Sequence, residues 1–246
     1  MLSFIVPAYN EELELPTTLS AIRAAAAANS EPFEIIVAND GSTDATAAVA
    51  AAAGARVVTI DRRQIAAARN AGAREARGDI LFFVDADTRI SPAHVTGARA
   101  TLAAGCAGGS ARGTLDGVVP LWGRVFIRVF SAFYFTLANL GAGAFLFTTR
   151  GNFDRAGGFD EELFAGEEIY FSQALKKLGR FRVLAEPVVT SGRKLRMNSA
   201  RQILGLSVGI VLRGKQGVRS RDRLDLWYDG RRETKTLGPV SRSLPE

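Results

Sequence analysis

GDILFFVDAD, the stretch at residues 78–87, decides the fold class of this chain. Five apolar residues in a row, bounded by Gly-Asp and then by acids, predict a strand that is buried on both faces of a sheet. Asp85 and Asp87 follow this strand at its carboxyl end, where open α/β sheets place their ligands. Their carboxylates suit Mg²⁺ or Mn²⁺, especially when phosphates complete the coordination shell. When the acidic stretch is considered alone, the alternative to a ligand site is a solvent-exposed acidic turn that only ends the strand.

Strands that run into polar residues recur through the amino-terminal part of the chain. The first predicted strand starts at residue 2 and runs into polar residues within the segment 2–12, and the next three are at residues 34–38, 56–60 and 80–84. After the second strand, Gly41 permits a tight turn, Ser42 can cap the next helix, and Asp44 suits the first turn of that helix. Because strands alternate with helical stretches, we predict an α/β fold with a parallel, doubly wound sheet and a ligand at its carboxyl edge.

Five motifs carry a family resemblance, and they follow one another along the chain. They are IVPAYNE at residues 5–11, NDGSTD at 39–44, ARNAG at 68–72, DAD at 85–87 and GGFDE at 157–161. Together they resemble family 2 glycosyltransferases of the GT-A fold over residues 2–195, and the ordered set is far more specific than any one motif. The resemblance implies a Rossmann-like, mostly parallel central sheet flanked by helices. It also implies an inverting transferase that uses a nucleotide-diphospho-sugar and a divalent metal, Mg²⁺ or Mn²⁺.

The resemblance further implies a donor site. Asp87 would be the more direct metal ligand and Asp85 the second, while Asp40 matches the acid that contacts the nucleobase. Arg69 is expected to hold Asp85 or a phosphate oxygen, because a planar guanidinium suits either. The expected nucleotide-binding residues are Pro7, Ala8, Tyr9, Glu11, Asp40, Arg69 and Asp85. A basic set that would contact the diphosphate or the acceptor is Arg193, Lys194 and Arg196.

A general base is expected at the start of a later helix. An inverting transferase needs a carboxylate that takes the proton of the acceptor hydroxyl. In the family, the aspartate of a Glu-Asp pair shortly after Gly-Gly-Phe-Asp has this role, and the matching catalytic positions here are Glu167 and Glu168. Glu168 stands where aspartate is usual and is one methylene longer, but a glutamate can also act as a base. Acidic residues that merely complement a helix N-terminus are the alternative.

Length and charge suggest one catalytic domain and a basic extension. The 246 residues suffice for one substantial core, and 31 Lys and Arg residues outweigh 25 Asp and Glu residues. We predict a GT-A domain over residues 1–195, with a nucleotide-sugar half over about 1–105 and an acceptor half over about 106–195. Residues 196–246 form the basic extension. It favours anionic lipid or diphosphate over nucleic acid, because no aromatic-rich basic RNA-binding motif is present, and a solvated basic surface is the alternative.

Single cysteine and histidine residues restrict the chemistry. Cys106 is the only cysteine, which excludes an internal disulfide and a cysteine-based zinc site. His94 is the only histidine, and we expect it on a helix surface outside the site. The amino terminus lacks the pattern of a signal peptide, so we expect a cytoplasmic chain.

Two apolar runs raise the question of a membrane. Residues 130–147 are uncharged and are at the lower limit for a spanning helix, but a helix over 124–140 followed by a strand over 143–149 is the favoured interpretation. Residues 203–212 are too few to cross a bilayer, and an interfacial helix and a buried terminal helix are equally compatible with them. Peripheral contact with an anionic membrane surface is therefore an open expectation.

Other enzyme classes lack their motifs here. Residues 7–12 contain no glycine, which argues against a dinucleotide-dependent oxidoreductase, and Gly-Lys-Ser/Thr of a P-loop NTPase is missing. A sugar nucleotidyltransferase would need a first loop rich in glycine and arginine. Without a Gln-x-x-Arg-Trp motif, the chain is expected to add a single sugar, with a UDP-sugar favoured as donor and a hydroxyl acceptor that is compatible with a lipid-linked molecule. A nucleotide-sugar-binding protein with little or no activity is the alternative, because the base position is altered.

Overall fold

The computed structural model describes residues 1–118, 120–131 and 139–220. The strands in this part of the chain are β1 (Leu2–Ala8), β2 (Phe33–Asp40), β3 (Arg56–Ile60), β4 (Ile80–Val84), β5 (Thr88–Arg89), β6 (Gly108–Leu115), β7 (Phe145–Thr149) and β8 (Phe181–Thr190). The helices are α1 (Leu15–Ala27), α2 (Thr46–Ala52), α3 (Ile65–Glu75), α4 (Pro92–Ala103), α5 (Leu121–Ser131), α6 (Arg150–Ala156), α7 (Glu167–Leu178), α8 (Arg193–Met197) and α9 (Ala200–Gly217).

All the described strands join one mixed sheet in the order β3-β2-β1-β4-β7-β6-β8-β5. The first half is parallel, with β2 and β4 on either side of β1 and β3 outside β2. In the second half β7 runs antiparallel to both β4 and β6, while β8 is parallel to β6 and antiparallel to β5. The predicted α/β fold is confirmed, and the doubly wound parallel arrangement is limited to β1–β4.

The strand predicted from GDILFFVDAD is buried on both faces. Phe82 stacks on Phe4 at a ring-centroid distance of 4.7 Å in one layer of the core. Phe83 lies on the opposite face, where its ring meets that of Phe159 edge-on at 4.9 Å. Alternate side chains of a strand point to opposite faces, so the apolar run gives β4 a covered surface on each side.

Helix α3 packs closely on β1 because Gly72 has no side chain. A Cβ at Gly72 would lie 2.5 Å from Cγ2 of Ile5, well inside van der Waals contact. This close approach is the structural reason for the glycine of the ARNAG motif. It places Arg69 and Asn70, three and two residues before the glycine, on a helix held closely against β1.

Two local expectations differ from the structure, those for His94 and Ser42. His94 is buried, not exposed, because its Nδ1 accepts a hydrogen bond from the Ser91 backbone N–H at 3.0 Å and its ring packs on Phe145 at 5.6 Å. Ser42 does not cap α2 but accepts from the backbone N–H of Asn10 at 3.0 Å. Asp44 binds the first helical residue instead, accepting from the backbone N–H of Thr46 at 2.9 Å.

The apolar runs fall partly outside the described residues. Helix α5 begins at Leu121 and strand β7 at Phe145, and residues 132–138 between them are not described. Within the described ranges, we find no helix with the length and apolar character needed to cross a bilayer. The run at 203–212 lies on α9, and most of its side chains are outside the described set, as are residues 221–246 of the basic extension.

Candidate active site

One guanidinium group joins two distant acidic segments at the carboxyl edge of the sheet. Nη2 of Arg69 donates to Oδ1 of Asp85 at 2.8 Å and to the carbonyl of Gly143 at 3.0 Å. Its Nη1 donates to Oε1 of Glu167, the first residue of α7. Arg69 is 1% exposed. The end of β4 and the start of α7 are therefore held to one buried cation.

The charge balance of this trio explains why Arg69 stays charged when buried. Burial opposes the charge, but Asp85, Glu167 and Glu168 together raise the pKa of Arg69 above its ordinary value. Burial raises the pKa of Asp85 to about 6, an effect that Arg69 opposes and Asp87 increases. A buried charge needs such partners, since an unpaired one is strongly destabilising.

Asp87 lies beside the end of β8. Its Oδ1 accepts from Oγ1 of Thr190 at 3.1 Å, and its Oδ2 is 3.3 Å from Nη2 of Arg193. Arg193 also binds Glu11, donating from Nη1 to Oε2 at 2.7 Å. Through these contacts, residues from the segment after β1, the end of β4 and the start of α8 meet at one place.

The residues at this edge suit a cation that arrives with phosphates. In the described part of the chain, no group of three or more His, Cys, Asp or Glu side chains could enclose a metal ion. Mg²⁺ on a nucleotide, however, needs only one or two protein carboxylates, because the phosphates and water supply the remaining oxygens. The half-buried carboxylates of Asp85 and Asp87 meet that requirement.

The predicted nucleobase region is ordered by Asp40. Its Oδ1 accepts from the backbone N–H groups of Arg62 at 2.7 Å and Arg63 at 2.8 Å, and its Oδ2 accepts from that of Gln64 at 2.6 Å. Arg63 then places its guanidinium 3.3 Å from the ring centroid of Tyr9. Pro7 and Ala8 are buried within β1, where they lie in register with Ala38 and Asn39 of β2, next to Asp40.

Helix α7 begins with the two candidate base residues. Gly166, just before the helix, has φ of 71°, a left-handed conformation that glycine adopts without strain. Glu167 is 3% exposed and is committed to Arg69. Burial, then the neighbouring Glu167, raise the pKa of the half-buried Glu168 above the usual range for glutamate, and Arg69 opposes them. A raised pKa suits a base that works near neutral pH.

Asn70 links two of the sequence motifs, a role that the sequence did not reveal. Its Nδ2 donates to the carbonyl of Phe159 at 2.8 Å and to Oε1 of Glu161 at 2.9 Å. Its Oδ1 accepts from the backbone N–H of Phe159 at 2.9 Å. ARNAG thus holds DAD through its arginine and GGFDE through its asparagine. The sequence showed that Asn70 belongs to a motif, but it did not indicate which residues the Asn70 side chain contacts.

The basic residues at the end of β8 do not act as one group. Arg193 reaches the acids, whereas Arg196 donates from Nη1 to the backbone carbonyl of Asp116 at 2.8 Å. Asp116 also accepts from the backbone N–H of Gly192 at 3.0 Å, which ties the end of β6 to the start of α8. The side chain of Lys194 is outside the described set.

The sequence matches one family model and resembles several known proteins. The sequence model of Glycosyl transferase family 2 matches residues 3–152. The undecaprenyl-phosphate 4-deoxy-4-formamido-L-arabinose transferase of Pseudomonas paraeruginosa is 35% identical over 102 residues, which are 39% of this chain and 30% of that protein. The succinoglycan biosynthesis protein ExoO of Rhizobium meliloti is 32% identical over 223 residues, 86% of this chain and 62% of its own length. The chain thus spans less than two thirds of either relative.

A solved structure supports the fold. The mannosyltransferase PcManGT from Pyrobaculum calidifontis, in complex with GDP-Man and Mn²⁺, superposes with a TM-score of 0.63 at 21% identity, covering 86% of this chain and 61% of that one. At this identity the likeness establishes the GT-A fold alone. With the family match over residues 3–152 and the five ordered motifs gathered at one edge of the sheet, the chain belongs to glycosyltransferase family 2.

Proposed function

We propose that the protein transfers one sugar, with inversion, from a nucleotide-diphospho-sugar to a hydroxyl acceptor. The observation that carries this proposal is the contact of Arg69 with both Asp85 and Glu167. It brings the acids that suit a metal-bound diphosphate and the helix that begins with the candidate base to the same buried group. Donor and base must meet in this way for an in-line attack on the sugar.

The donor would lie over the ends of β1, β2 and β4, in the half formed by residues 1–105. Pro7, Ala8 and Tyr9 would line the base and ribose, while Asp40 orders the loop beside them. Asp87 and Asp85 would hold Mg²⁺ or Mn²⁺, which offsets the charge that develops on the leaving diphosphate. The Mn²⁺ in the PcManGT complex supports a divalent ion. A UDP-sugar stays our favoured donor. Because that complex contains GDP-Man, a guanosine-diphosphate sugar is the first donor to compare with it.

Glu168 would take the proton of the acceptor hydroxyl while the hydroxyl oxygen attacks the anomeric carbon. Its raised pKa supports this role. Glu167 would position the helix, because its carboxylate is already bound by Arg69. The acceptor would lie in the half formed by residues 106–195, where Arg193, Lys194 and Arg196 are the basic candidates for a phosphate.

The name of the Pseudomonas relative supports a lipid-linked acceptor and introduces a second candidate nucleophile. If the attacking group were a phosphate oxygen, it would already be largely ionised at neutral pH, since the second pKa of a phosphate monoester is about 6. Such a reaction would depend little on Glu168. A hydroxyl acceptor would depend on it strongly, so the Glu168→Gln variant separates the two acceptor classes.

Metal-dependent nucleotide binding through Asp87 is the first test. Asp87→Asn keeps the size of the side chain and the contact with Thr190, and Arg193 keeps its ion pair with Glu11, so the melting temperature should stay close to that of the parent. Affinity for UDP or GDP in the presence of Mn²⁺, measured by calorimetry, should fall by roughly 100-fold or more, because even outer partners of a metal cost 10–100-fold. Equal affinity of parent and variant would contradict the proposed donor site.

Turnover separates the enzyme from a binding protein. The parent should release nucleoside diphosphate from its preferred sugar nucleotide in the presence of Mn²⁺. High affinity without any release, with water or with a panel of acceptors, would instead identify a nucleotide-sugar-binding protein.

A further inference from the structure

Exposed apolar side chains are concentrated in one short segment. Val118 is 79% exposed, Leu121 76% and Val125 57%. Elsewhere in the described ranges, the large apolar side chains with comparable exposure are Met1 and Leu13, at 38% and 45%. Single exposed apolar residues are normal, but three within eight positions form a patch that calls for a partner.

The segment has a regular face. Leu121, Arg124, Val125 and Arg128 follow the spacing i, i+3, i+4, i+7 along α5, which places them on one side of the helix, and all four are exposed. The other side holds α5 to the protein, because Trp122 packs on the cluster of Leu195 and Ile203. We use "the α5 face" for these four residues together with Val118.

The charge of the α5 face selects its partner. Between Asp116 and Asp154 the sequence contains no acidic residue, so this stretch, which includes Arg124 and Arg128, has a positive net charge. The whole chain has a formal charge of +6, which opposes pairing of this face with a second copy. A partner with an apolar interior and an anionic surface fits both features, and a bilayer with acidic headgroups has them.

We propose that the α5 face docks on the surface of an anionic lipid bilayer. Val118, Leu121 and Val125 would enter the boundary between headgroups and acyl chains, while the two arginines reach lipid phosphates. Five residues before α5 begins, the carboxylate of Asp116 accepts a hydrogen bond from the backbone N–H of Gly192, beside Arg193. The docked face is therefore connected to the rim of the candidate active site. This places membrane contact on α5, and the interfacial helix at residues 203–212, one of two interpretations from the sequence, stays a prediction.

Vesicle flotation tests the proposal. Vesicles of phosphatidylcholine mixed with phosphatidylglycerol should carry the full-length protein at low salt, and vesicles of phosphatidylcholine alone should carry far less. L121S/V125S should reduce the partition coefficient by about tenfold or more, because two aliphatic side chains would no longer leave water on docking. R124Q/R128Q should remove the dependence on phosphatidylglycerol and on salt. L13S, which changes an exposed leucine elsewhere, is the matched control and should float like the parent.

Several results would overturn the proposal. Unchanged flotation of L121S/V125S would exclude the α5 face as the membrane-binding surface. Equal binding of the parent to both kinds of vesicle would exclude a requirement for anionic lipid. A parent that does not float, yet forms a dimer in light scattering that L121S/V125S abolishes, would assign the face to a second copy of the chain. Circular dichroism and melting curves of each variant show whether the fold is kept. None of these readouts depends on the proposed transfer reaction.

Discussion

At the scale of single residues, Glu168 combines a structural cost with its proposed chemical role. Burial and Glu167 raise its pKa, so the folded protein binds this proton more tightly than the unfolded chain does. The group therefore lowers stability progressively as the pH rises from about 4.3, the ordinary pKa of glutamate, towards the raised value. Catalytic carboxylates kept at a cost of this kind are a common feature of active sites.

The Glu168→Gln variant should consequently be more stable than the parent at pH 8. The difference should shrink towards pH 5, where the glutamate of the unfolded chain also begins to bind its proton. Urea unfolding at the two pH values measures it, with Glu162→Gln as the control, since Glu162 has a side chain that is 69% exposed. A Glu168→Gln variant that is less stable than the parent at pH 8 would show that the carboxylate is well solvated or well paired.

Residue identity predicted one contact of Arg69 and missed the other. The ARNAG motif suggested Asp85, 16 positions away, and the structure shows that hydrogen bond. The partner Glu167 is 98 positions away, and no local pattern signals it because the sheet order brings α7 to α3. The contact also gives Glu167 a structural role, since removal of the Glu167 carboxylate would leave Arg69 without one of its counter-ions.

At the scale of elements, the close packing of α3 on β1 determines where the motif residues of the candidate active site lie. The sequence predicted both elements from their apolar pattern, but it gave no measure of how closely they approach. Gly72 shows that the approach is too close for any side chain. A strand was predicted over residues 143–149, where β7 lies, but its antiparallel pairing with β4 was not, because strand order depends on contacts between remote segments.

Gly72→Ala should therefore destabilise the protein by about 1–3 kcal/mol, the usual cost of overpacking a core. Gly151→Ala is the matched control, because a Cβ at that position of helix α6 meets no atom within 4 Å. This control should gain up to about 1 kcal/mol from the better helix propensity of alanine. Denaturant unfolding measures both variants. Equal stability of the two would mean that β1 and α3 can separate without cost.

His94 illustrates a different limit of element-level prediction. The helix around it was recognised, but the polar side chain suggested the outer face. In the structure, Ser91 and His94 form the capping box of α4, and the ring packs on β7. A polar residue three positions after a serine was the available signal.

At the scale of the whole molecule, buried ion pairs join segments that are far apart in sequence. Arg69 connects the donor half to α7, and Arg193 connects α8 to Glu11, 182 positions earlier. The five motifs predicted which segments would carry the chemistry. The pairs that hold these segments together depend on the folded topology, so they were visible only in the structure.

Donor turnover by Glu168→Gln, measured beside donor affinity, tests the central claim most directly. The parent, Glu168→Gln and the exposed control Glu162→Gln are compared with the preferred sugar nucleotide, Mn²⁺ and a hydroxyl acceptor. We predict that Glu168→Gln binds the donor like the parent but transfers about 10²–10⁴-fold more slowly, the usual contribution of a positioned base. Glu162→Gln should keep parental turnover. Full transfer by Glu168→Gln to a hydroxyl acceptor would contradict the account.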